Sequence, residues 1–277
     1  MNLNNKLNNL PHVYYINLDN RIDRKNYMES QFDYWNLKNF TRVSATKYLA
    51  SEANKWKHLI VGDVYMNGER AHVTANAMTC IEMINSWLEN TNDPYMVIME
   101  DDVDLNLIKY WHFDFDYLMA NIPYDWDCIQ FSYTSGIEVK FFLHPLPSTR
   151  SFNGPCMINR RYAQKLIDLH FKDNKFIFKH KVCDYEYKLE GGNTTIDYFL
   201  SHNGRTYCLP LLSVNNDFGS CEWNVPRPNP FSFACRDLYY DFWINGRDNF
   251  TLEDFFTYGK PNDHLMTRTV DLKNYIN

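Results

Sequence analysis

The chain lacks the features that mark membrane, secreted and nucleic-acid-binding proteins. Its first ten residues are polar and rich in Asn, without the apolar stretch of a signal peptide, and no later run is long enough to cross a bilayer. The formal net charge is -6 at pH 7, so the basic face of a nucleic-acid binder is not expected. We therefore expect a soluble, most simply cytoplasmic protein that neither binds nucleic acid nor inserts into a membrane.

Metal-binding and disulfide spacing of cysteine is also missing. The 7 cysteines show no C-x-x-C pair, which argues against a zinc site and a dense disulfide framework. Several lie in apolar runs, where a free thiol behaves as a small hydrophobe, and a reducing compartment is the simpler interpretation. Glycosylation sequons at Asn39, Asn193 and Asn249 would matter only in a secretory lumen, and chance accounts for them in an Asn-rich chain.

Glycine-rich phosphate loops and calcium loops are absent as well. There is no G-x-G-x-x-G, and the Gly259-Lys260 pair is followed by proline rather than by Ser or Thr. A calcium loop beginning at Asp102 would need Gly where Leu107 stands and a carboxylate where Phe113 stands. These absences exclude Walker-type nucleotide hydrolases and EF-hand proteins.

The most informative segment that is present is an apolar run ending in four acids. Residues 95–99 are apolar and are followed by Glu100, Asp101, Asp102 and Asp104. The apolar part predicts a strand buried on both faces, and ligands of open α/β sheets bind beyond the carboxyl ends of such strands. Carboxylates this close repel one another unless a cation neutralises them. The run therefore predicts a Mn²⁺ or Mg²⁺ site for a diphosphate, with a polar strand end as the structural alternative.

The chain up to about residue 212 alternates between strand and helix patterns. Strand-like runs cover residues 12–18, 40–45, 95–99, 127–133, 154–158 and 206–211. Helical patterns cover roughly residues 20–32, 74–88 and 162–170, and a short helix is expected at 197–200. This alternation predicts an α/β fold with a mostly parallel mixed sheet flanked by helices.

These pieces, in this order, resemble glycosyltransferase family 25, the group that contains bacterial lipooligosaccharide galactosyltransferases and animal procollagen galactosyltransferases. The residues that carry the resemblance are 13–18, Arg21, Asp23, Arg24, Gly68, Glu69, 99–102, 154–163 and Asp197. It covers roughly residues 11–220 and departs at Ala75-Asn76, where the family usually has Ser-His. The resemblance implies a GT-A type fold, a nucleotide sugar donor and inversion at the anomeric carbon.

We accordingly divide the chain into three parts. Residues 1–10 form a polar leader and residues 11–212 a catalytic domain. Within that domain, 11–104 would be the nucleotide-sugar half and 105–212 the acceptor half. The extension at 213–277 is rich in Pro, Asn and aromatic residues with weak periodicity. It is interpreted as a lid, an acceptor-binding segment or a wrapped extension.

The spacing and the resemblance together suggest roles for the polar residues. Asp102 and Asp104 have Asp-x-Asp spacing and are the expected metal ligands, with Asp102 also counted as catalytic. Asp101 is expected to face the ribose or to brace the loop. Donor binding is assigned to Asn17, Leu18, Asp19, Arg21, Arg24, Thr74, Asn76 and Asp101. For Arg24 the structural alternative is a surface salt bridge.

Inverting transfer also needs a general base close to the acceptor hydroxyl. The family position points to Asp197, for which a helix N-cap is the structural alternative, and Asp184 and Glu186 are reserves. Two other Asp-x-Asp sequences lack a preceding apolar strand. They are Asp114-Phe115-Asp116 and Asp125-Trp126-Asp127, interpreted as loop and strand-start residues.

The sequence thus predicts a metal-dependent inverting glycosyltransferase. It would move galactose or glucose from a UDP-sugar to a hydroxyl of a glycan, or of hydroxylysine in a collagen-like protein. Two alternatives stay open: a non-catalytic nucleotide-sugar- or glycan-binding protein with the same fold, and a phosphotransfer or hydrolase enzyme on another α/β scaffold. The bias toward Asn, Tyr, Phe, Ile and Lys is typical of an AT-rich genome, such as that of a large DNA virus.

Overall fold

The computed structural model describes residues 6–62, 70–135, 137–146, 154–178, 196–218 and 230–275. The strands in these residues are β1 (Val13–Asn17), β2 (Phe40–Ser44), β3 (Ile60–Val61), β4 (Tyr95–Glu100), β5 (Val103–Asp104), β6 (Cys128–Gln130), β7 (Glu138–Lys140), β8 (His144–Pro145), β9 (Cys156–Asn159), β10 (Phe171–Lys172), β11 (Lys175–Ile177), β12 (Thr206–Cys208), β13 (Ser213–Val214) and β14 (Thr267–Thr269). The helices are α1 (Ile22–Tyr34), α2 (Ala53–Trp56), α3 (Arg70–Asn90), α4 (Phe115–Asn121), α5 (Arg160–His170), α6 (Ile196–Ser201), α7 (Pro230–Asp241) and α8 (Leu252–Phe256).

Seven strands form one central mixed sheet in the order β2-β1-β4-β9-β6-β12-β8. The pairs β1–β2, β1–β4 and β6–β12 are parallel. The pairs β4–β9, β9–β6 and β12–β8 are antiparallel, because β9 runs against both of its neighbours and β8 against β12. The predicted α/β class with a mixed sheet and flanking helices is confirmed, and antiparallel pairing is as frequent as parallel pairing.

Side chains of the central strands alternate between two apolar layers, one on each face of the sheet. On one face, Val97 of β4 packs in the same cluster as Met28 and Phe32 of α1. On the other face, Ile98 packs with Ile81 and other residues of α3. The predicted burial of β4 on both faces is confirmed, and its polar end lies beyond the buried part.

The register of β1 and β4 brings the carboxyl ends of these two strands side by side. Ile16 pairs with Glu100, so Asn17 and the start of the acidic run lie side by side. Strand β1 then leads directly into α1, whose Met28 and Phe32 are fully buried. Packing of α1 on the sheet therefore orients the side chains of its first turns relative to the end of β4.

The described residues of the C-terminal extension belong to the same core as the first strand. Tyr239, Phe242 and Trp243 are buried in one cluster with Val13 and Tyr15. Strand β13 pairs antiparallel with β5, directly after the acidic run. The extension thus contacts the candidate site. Within the described ranges, no helix combines the length and the apolar character needed to cross a bilayer.

Candidate active site

Residues 100–104, here called the acid loop, run from the last residue of β4 to the end of β5. Hydrogen bonds hold this segment on two sides. On one side, the Gln31 side chain of α1 donates to the Val103 carbonyl oxygen at 2.9 Å and accepts from the Leu105 amide at 2.7 Å. On the other side, the Asn215 amide donates to the Asp102 carbonyl oxygen at 2.6 Å. The loop backbone is therefore fixed between α1 and the segment that follows β13.

Asp101 forms a buried ion pair at the centre of this site. Its Oδ1 lies 2.5 Å from Arg24 Nη1, and its Oδ2 accepts a hydrogen bond from Asn17 Nδ2 at 2.7 Å. The side chains of Arg24 and Asp101 are 7% and 10% exposed, so this is not the surface salt bridge considered as an alternative for Arg24. Both Asp101 oxygens thus contact side chains that hold the loop, and a contact of Asp101 with the ribose stays a prediction.

Asp102 shares the same guanidinium but keeps one oxygen without a partner. Arg24 Nη1 lies 3.2 Å from its Oδ2, whereas its Oδ1 is buried and accepts no hydrogen bond from any described residue. Burial, and after it the neighbouring Glu100 carboxylate, raises the pKa of Asp102 to about 7 against the lowering effect of Arg24. A buried carboxylate oxygen of this kind fits a cation that adds to the charge of Arg24.

Asp104 is only 6% exposed and both of its oxygens accept hydrogen bonds. The Tyr240 hydroxyl donates to Oδ2 at 2.5 Å, and the Asn106 amide donates to Oδ1 at 2.8 Å. Among the residues that the structure describes, no group of three or more His, Cys, Asp or Glu side chains is arranged to hold a metal. Metal binding by Asp102 and Asp104 therefore stays a prediction, for which Asp102 offers the open oxygen.

The residues predicted to bind the donor fall into two groups along the same edge of the sheet. Leu18, Asp19 and Arg21 lie in the loop between β1 and α1, where Asp19 pairs with Arg42 and accepts from Ser44 Oγ at 3.0 Å. Arg21 pairs with Asp23 at 2.7 Å and donates to the Phe218 carbonyl oxygen at 3.3 Å.

The second group lies on α3 and reaches the acid loop through Glu100. Asn76 Nδ2 donates to Glu100 Oε1 at 2.8 Å, while Thr74 is fully buried in the same helix. The structure thus brings Asn76 into one hydrogen-bonded network with the end of β4. Asn76, one of the two positions at which the resemblance departs, thus binds a carboxylate of the acid loop.

Three residues of the site carried no assignment from the sequence. Arg42 donates through Nε to Asn17 Oδ1 at 2.8 Å and so links the β1 loop to the acid loop. Gln31 lies seven residues after Arg24, on the same face of α1, and this helical spacing could have identified it. Tyr240 has no comparable signal, because it is 136 residues from its partner Asp104.

The candidate general base, Asp197, is the second residue of α6, and its side chain lies outside the described residues. Its role as base or helix cap stays a prediction. Asp184 and Glu186 also lie outside the described residues, as do Gly68 and Glu69 of the resemblance.

Of the two competing Asp-x-Asp sequences, the second lies at a strand start as predicted, whereas the first, predicted as a loop, begins α4. Asp114 caps α4 by accepting from the Tyr117 amide at 2.9 Å. Asp125 pairs with Arg205, and Asp127 pairs with Arg161 at 2.7 Å, just before β6. Asp125 and Asp127 thus each have an arginine of their own, whereas Asp102 shares Arg24 with Asp101.

Comparison with known protein families agrees with this geometry. A family model described as "Glycosyltransferase family 25 (LPS biosynthesis protein)" matches residues 10–203, more than half of the chain. The chain belongs to glycosyltransferase family 25. Membership in glycosyltransferase family 25 implies a glycosyl transfer role with a sugar donor and a glycan acceptor. A search of curated proteins gave no match.

The family 25 match includes only part of the candidate site. It contains β1, Arg24, the acid loop and α6, but it ends before β13 and α7. Asn215 and Tyr240, which contact Asp102 and Asp104, therefore lie beyond the matched residues. In this family 25 protein, the site is assembled from matched and unmatched parts of the chain.

Proposed function

We propose that this family 25 protein is a metal-dependent inverting glycosyltransferase that uses a UDP-sugar, with the acid loop as the diphosphate end of its donor site. The observation that carries the proposal is the buried Asp102 Oδ1, which has no hydrogen-bond partner among the described residues. Three further acids, Glu100, Asp101 and Asp104, belong to the same loop. One guanidinium, that of Arg24, faces both Asp101 and Asp102. The surplus of negative charge supports a role in binding cations.

Asp102 and Asp104 are the residues that would hold Mn²⁺ or Mg²⁺. Both cations take carboxylate oxygens as ligands, and Asp102 Oδ1 is available without breaking a hydrogen bond. When bound, such a cation supplies positive charge for the diphosphate that leaves in the transfer step. Arg24 and Asn17 hold the Asp101 side chain, so the loop keeps its shape while Asp102 engages the cation.

The loop between β1 and α1 and the start of α3 would bind the rest of the donor. Leu18, Asp19 and Arg21 lie directly after β1, and α/β folds bind their ligands at this end of the strands. We assign the ribose and phosphate contacts to these residues, together with Asn76 of α3; the contact predicted for Thr74 would require its fully buried side chain to be uncovered. Asn76 already orients Glu100, so part of its role is to support the loop.

Asp197 is the proposed general base. It would accept the proton of the acceptor hydroxyl while that oxygen forms its bond to the anomeric carbon and the bond to the diphosphate oxygen breaks. Attack from the face opposite to the leaving group inverts the anomeric centre. Its place in the first turn of α6 supports this assignment, since α6 contacts α3.

Galactose or glucose is the proposed sugar, and a glycan hydroxyl is the first choice of acceptor. The words "LPS biosynthesis" in the family description favour a glycan over the hydroxylysine of a collagen-like protein, which stays the second choice. Neither choice depends on the geometry of the acid loop.

The test is a transfer assay on the full chain. UDP-galactose and UDP-glucose are offered with lipooligosaccharide or with a hydroxylysine peptide, in Mn²⁺ or in EDTA, and released UDP and glycosylated product are measured. We expect Mn²⁺-dependent transfer with one donor and its loss in Asp102→Asn, while Asp125→Asn stays active. Donor binding without any transfer would instead favour the non-catalytic binding protein.

A further inference from the structure

The acid loop is held by two parts of the chain that differ in their relation to family 25. Arg24 and Gln31 come from α1, inside the matched residues. The opposite side is formed by β13, in which Ser213 pairs with Asp104 and Val214 with Val103. The unmatched part of the chain therefore contacts the site as closely as the matched part does.

Tyr240 is the side chain through which the unmatched part reaches an acid. Its hydroxyl lies 2.5 Å from Asp104 Oδ2, while the other oxygen, Oδ1, accepts from the Asn106 amide. Each oxygen of this buried carboxylate thus has a donor, and the pair of bonds sets the rotation of the carboxylate plane. The remaining lone pairs point in defined directions, as binding of a cation would require.

The helix that carries Tyr240 is anchored independently of the acid loop. The hydroxyl of its neighbour, Tyr239, donates to the Tyr133 carbonyl oxygen at 2.7 Å and accepts from the Tyr133 amide at 2.9 Å. Cys235 of the same helix accepts from the Ser135 amide at 3.4 Å. Because α7 is fixed to the core by these contacts, Tyr240 can hold Asp104 in place instead of following its movements.

We infer that Tyr240 is a positioning residue for Asp104 and that the chain beyond the family 25 match completes the cation site. The inference rests on the proposed function, because it takes the acid loop as the place where Mn²⁺ binds. Residues that hydrogen-bond a metal ligand typically change metal affinity 10- to 100-fold when they are removed. Loss of the Tyr240 hydroxyl would let the Asp104 carboxylate rotate away from its bound geometry.

Three single-hydroxyl variants separate positioning from general stability. Tyr240→Phe keeps the ring, which packs against the core, and removes the hydroxyl that bonds to Asp104 and to the Asn106 side chain. Tyr239→Phe removes a hydroxyl from the adjacent, buried position of the same helix. Tyr275→Phe removes an equivalent bond to an exposed carboxylate, that of Asp237. The full-length proteins are compared by their Mn²⁺ dissociation constants, from the electron paramagnetic resonance signal of free Mn²⁺, and by their melting temperatures in EDTA.

We expect the Mn²⁺ dissociation constant of Tyr240→Phe to rise about tenfold, with Tyr239→Phe and Tyr275→Phe within twofold of the parent. In EDTA, the melting temperature of Tyr239→Phe should fall more than that of Tyr240→Phe. If the role of Tyr240 were merely structural, Tyr240→Phe would show the larger fall. A dissociation constant for Tyr240→Phe equal to those of the two controls would overturn the inference.

The proposed function can fail separately. A parent protein that binds no Mn²⁺ overturns both the inference and the metal dependence of the transfer. A parent that binds Mn²⁺ but transfers no sugar overturns only the transfer, and the ratio of the dissociation constants still decides the role of Tyr240.

Discussion

Two Asp-x-Asp sequences in this chain have the same spacing and different surroundings. Asp102-Val103-Asp104 follows β4, whereas Asp125-Trp126-Asp127 precedes β6 at the opposite end of the sheet, since β9 runs antiparallel to both strands. Asp125 and Asp127 pair with Arg205 and Arg161, whose side chains are 66% and 76% exposed. Asp102 shares one buried arginine with Asp101 and leaves an oxygen without a partner.

The difference shows that spacing alone does not define a cation site. At the Asp125 pair, each acid has its own solvent-exposed arginine, so its charge is balanced. In the acid loop, Asp101 and Asp102 share the buried Arg24 guanidinium, and Asp102 Oδ1 is buried without a hydrogen-bond partner among the described residues. The proposed capacity of the acid loop to bind a further cation therefore rests on the shared, buried arginine and on the buried open oxygen of Asp102.

The largest expected difference between the two regions is in stability. Arg24→Gln should lower the free energy of unfolding by about 3–5 kcal/mol, because it leaves buried carboxylates without their counter-ion. Arg205→Gln removes an exposed pair and should cost at most about 1 kcal/mol. Urea unfolding in EDTA measures both. Similar losses in the two variants would mean that the buried Arg24 and the exposed Arg205 do not differ in their contribution to stability.

Activity should separate the regions almost as strongly. Asp102→Asn is expected to reduce transfer about 100- to 1,000-fold, since it removes the carboxylate proposed to hold the cation, whose positive charge would stabilise the leaving diphosphate. Asp125→Asn should stay within about twofold, because its carboxylate binds only Arg205 and Tyr207. Initial rates of transfer at saturating donor test this. Retention of most activity in Asp102→Asn would move the catalytic site away from the acid loop.

Mn²⁺ should stabilise the protein through the acid loop only. A ligand at 100 times its dissociation constant raises the free energy of unfolding by about 2.7 kcal/mol, provided that it binds the native state alone. We expect this gain in the parent and in Asp125→Asn, and its absence in Asp102→Asn. Urea unfolding with and without Mn²⁺ measures this gain in the free energy of unfolding. An equal gain in Asp102→Asn would locate the cation elsewhere.

The smallest expected effect concerns the support of Glu100 by α3. Asn76→Ala removes a partly buried bond to Glu100 and should cost about 1 kcal/mol. Asn85→Ala, on the same helix, removes an exposed bond to Glu89 and should cost under about 0.5 kcal/mol. Both substitutions gain the same helix propensity, so their difference in unfolding free energy isolates the bond in the acid loop. No difference would show that Asn76 does not support the loop.

Local pattern was sufficient for much of the fold. The apolar run before Glu100, the spacing of Ile81 and Ile84 on α3, and the strand before Asn17 each predict an element that the structure contains. These elements all lie within the residues that the family 25 model matches. Pattern did not predict that β9 runs antiparallel between β4 and β6, because strand direction depends on how the intervening chain crosses the sheet.

By itself, the sequence determined the buried strand, the acids at its end and the family, because burial and strand propensity are properties of neighbouring residues. Only the tertiary structure decided which acid is neutralised and which is left open. Arg24 meets Asp101 across 77 residues of sequence, and Tyr240 meets Asp104 across 136. Such partners are selected by the packing of α1 and α7 on the sheet, and no local periodicity encodes the contacts that result.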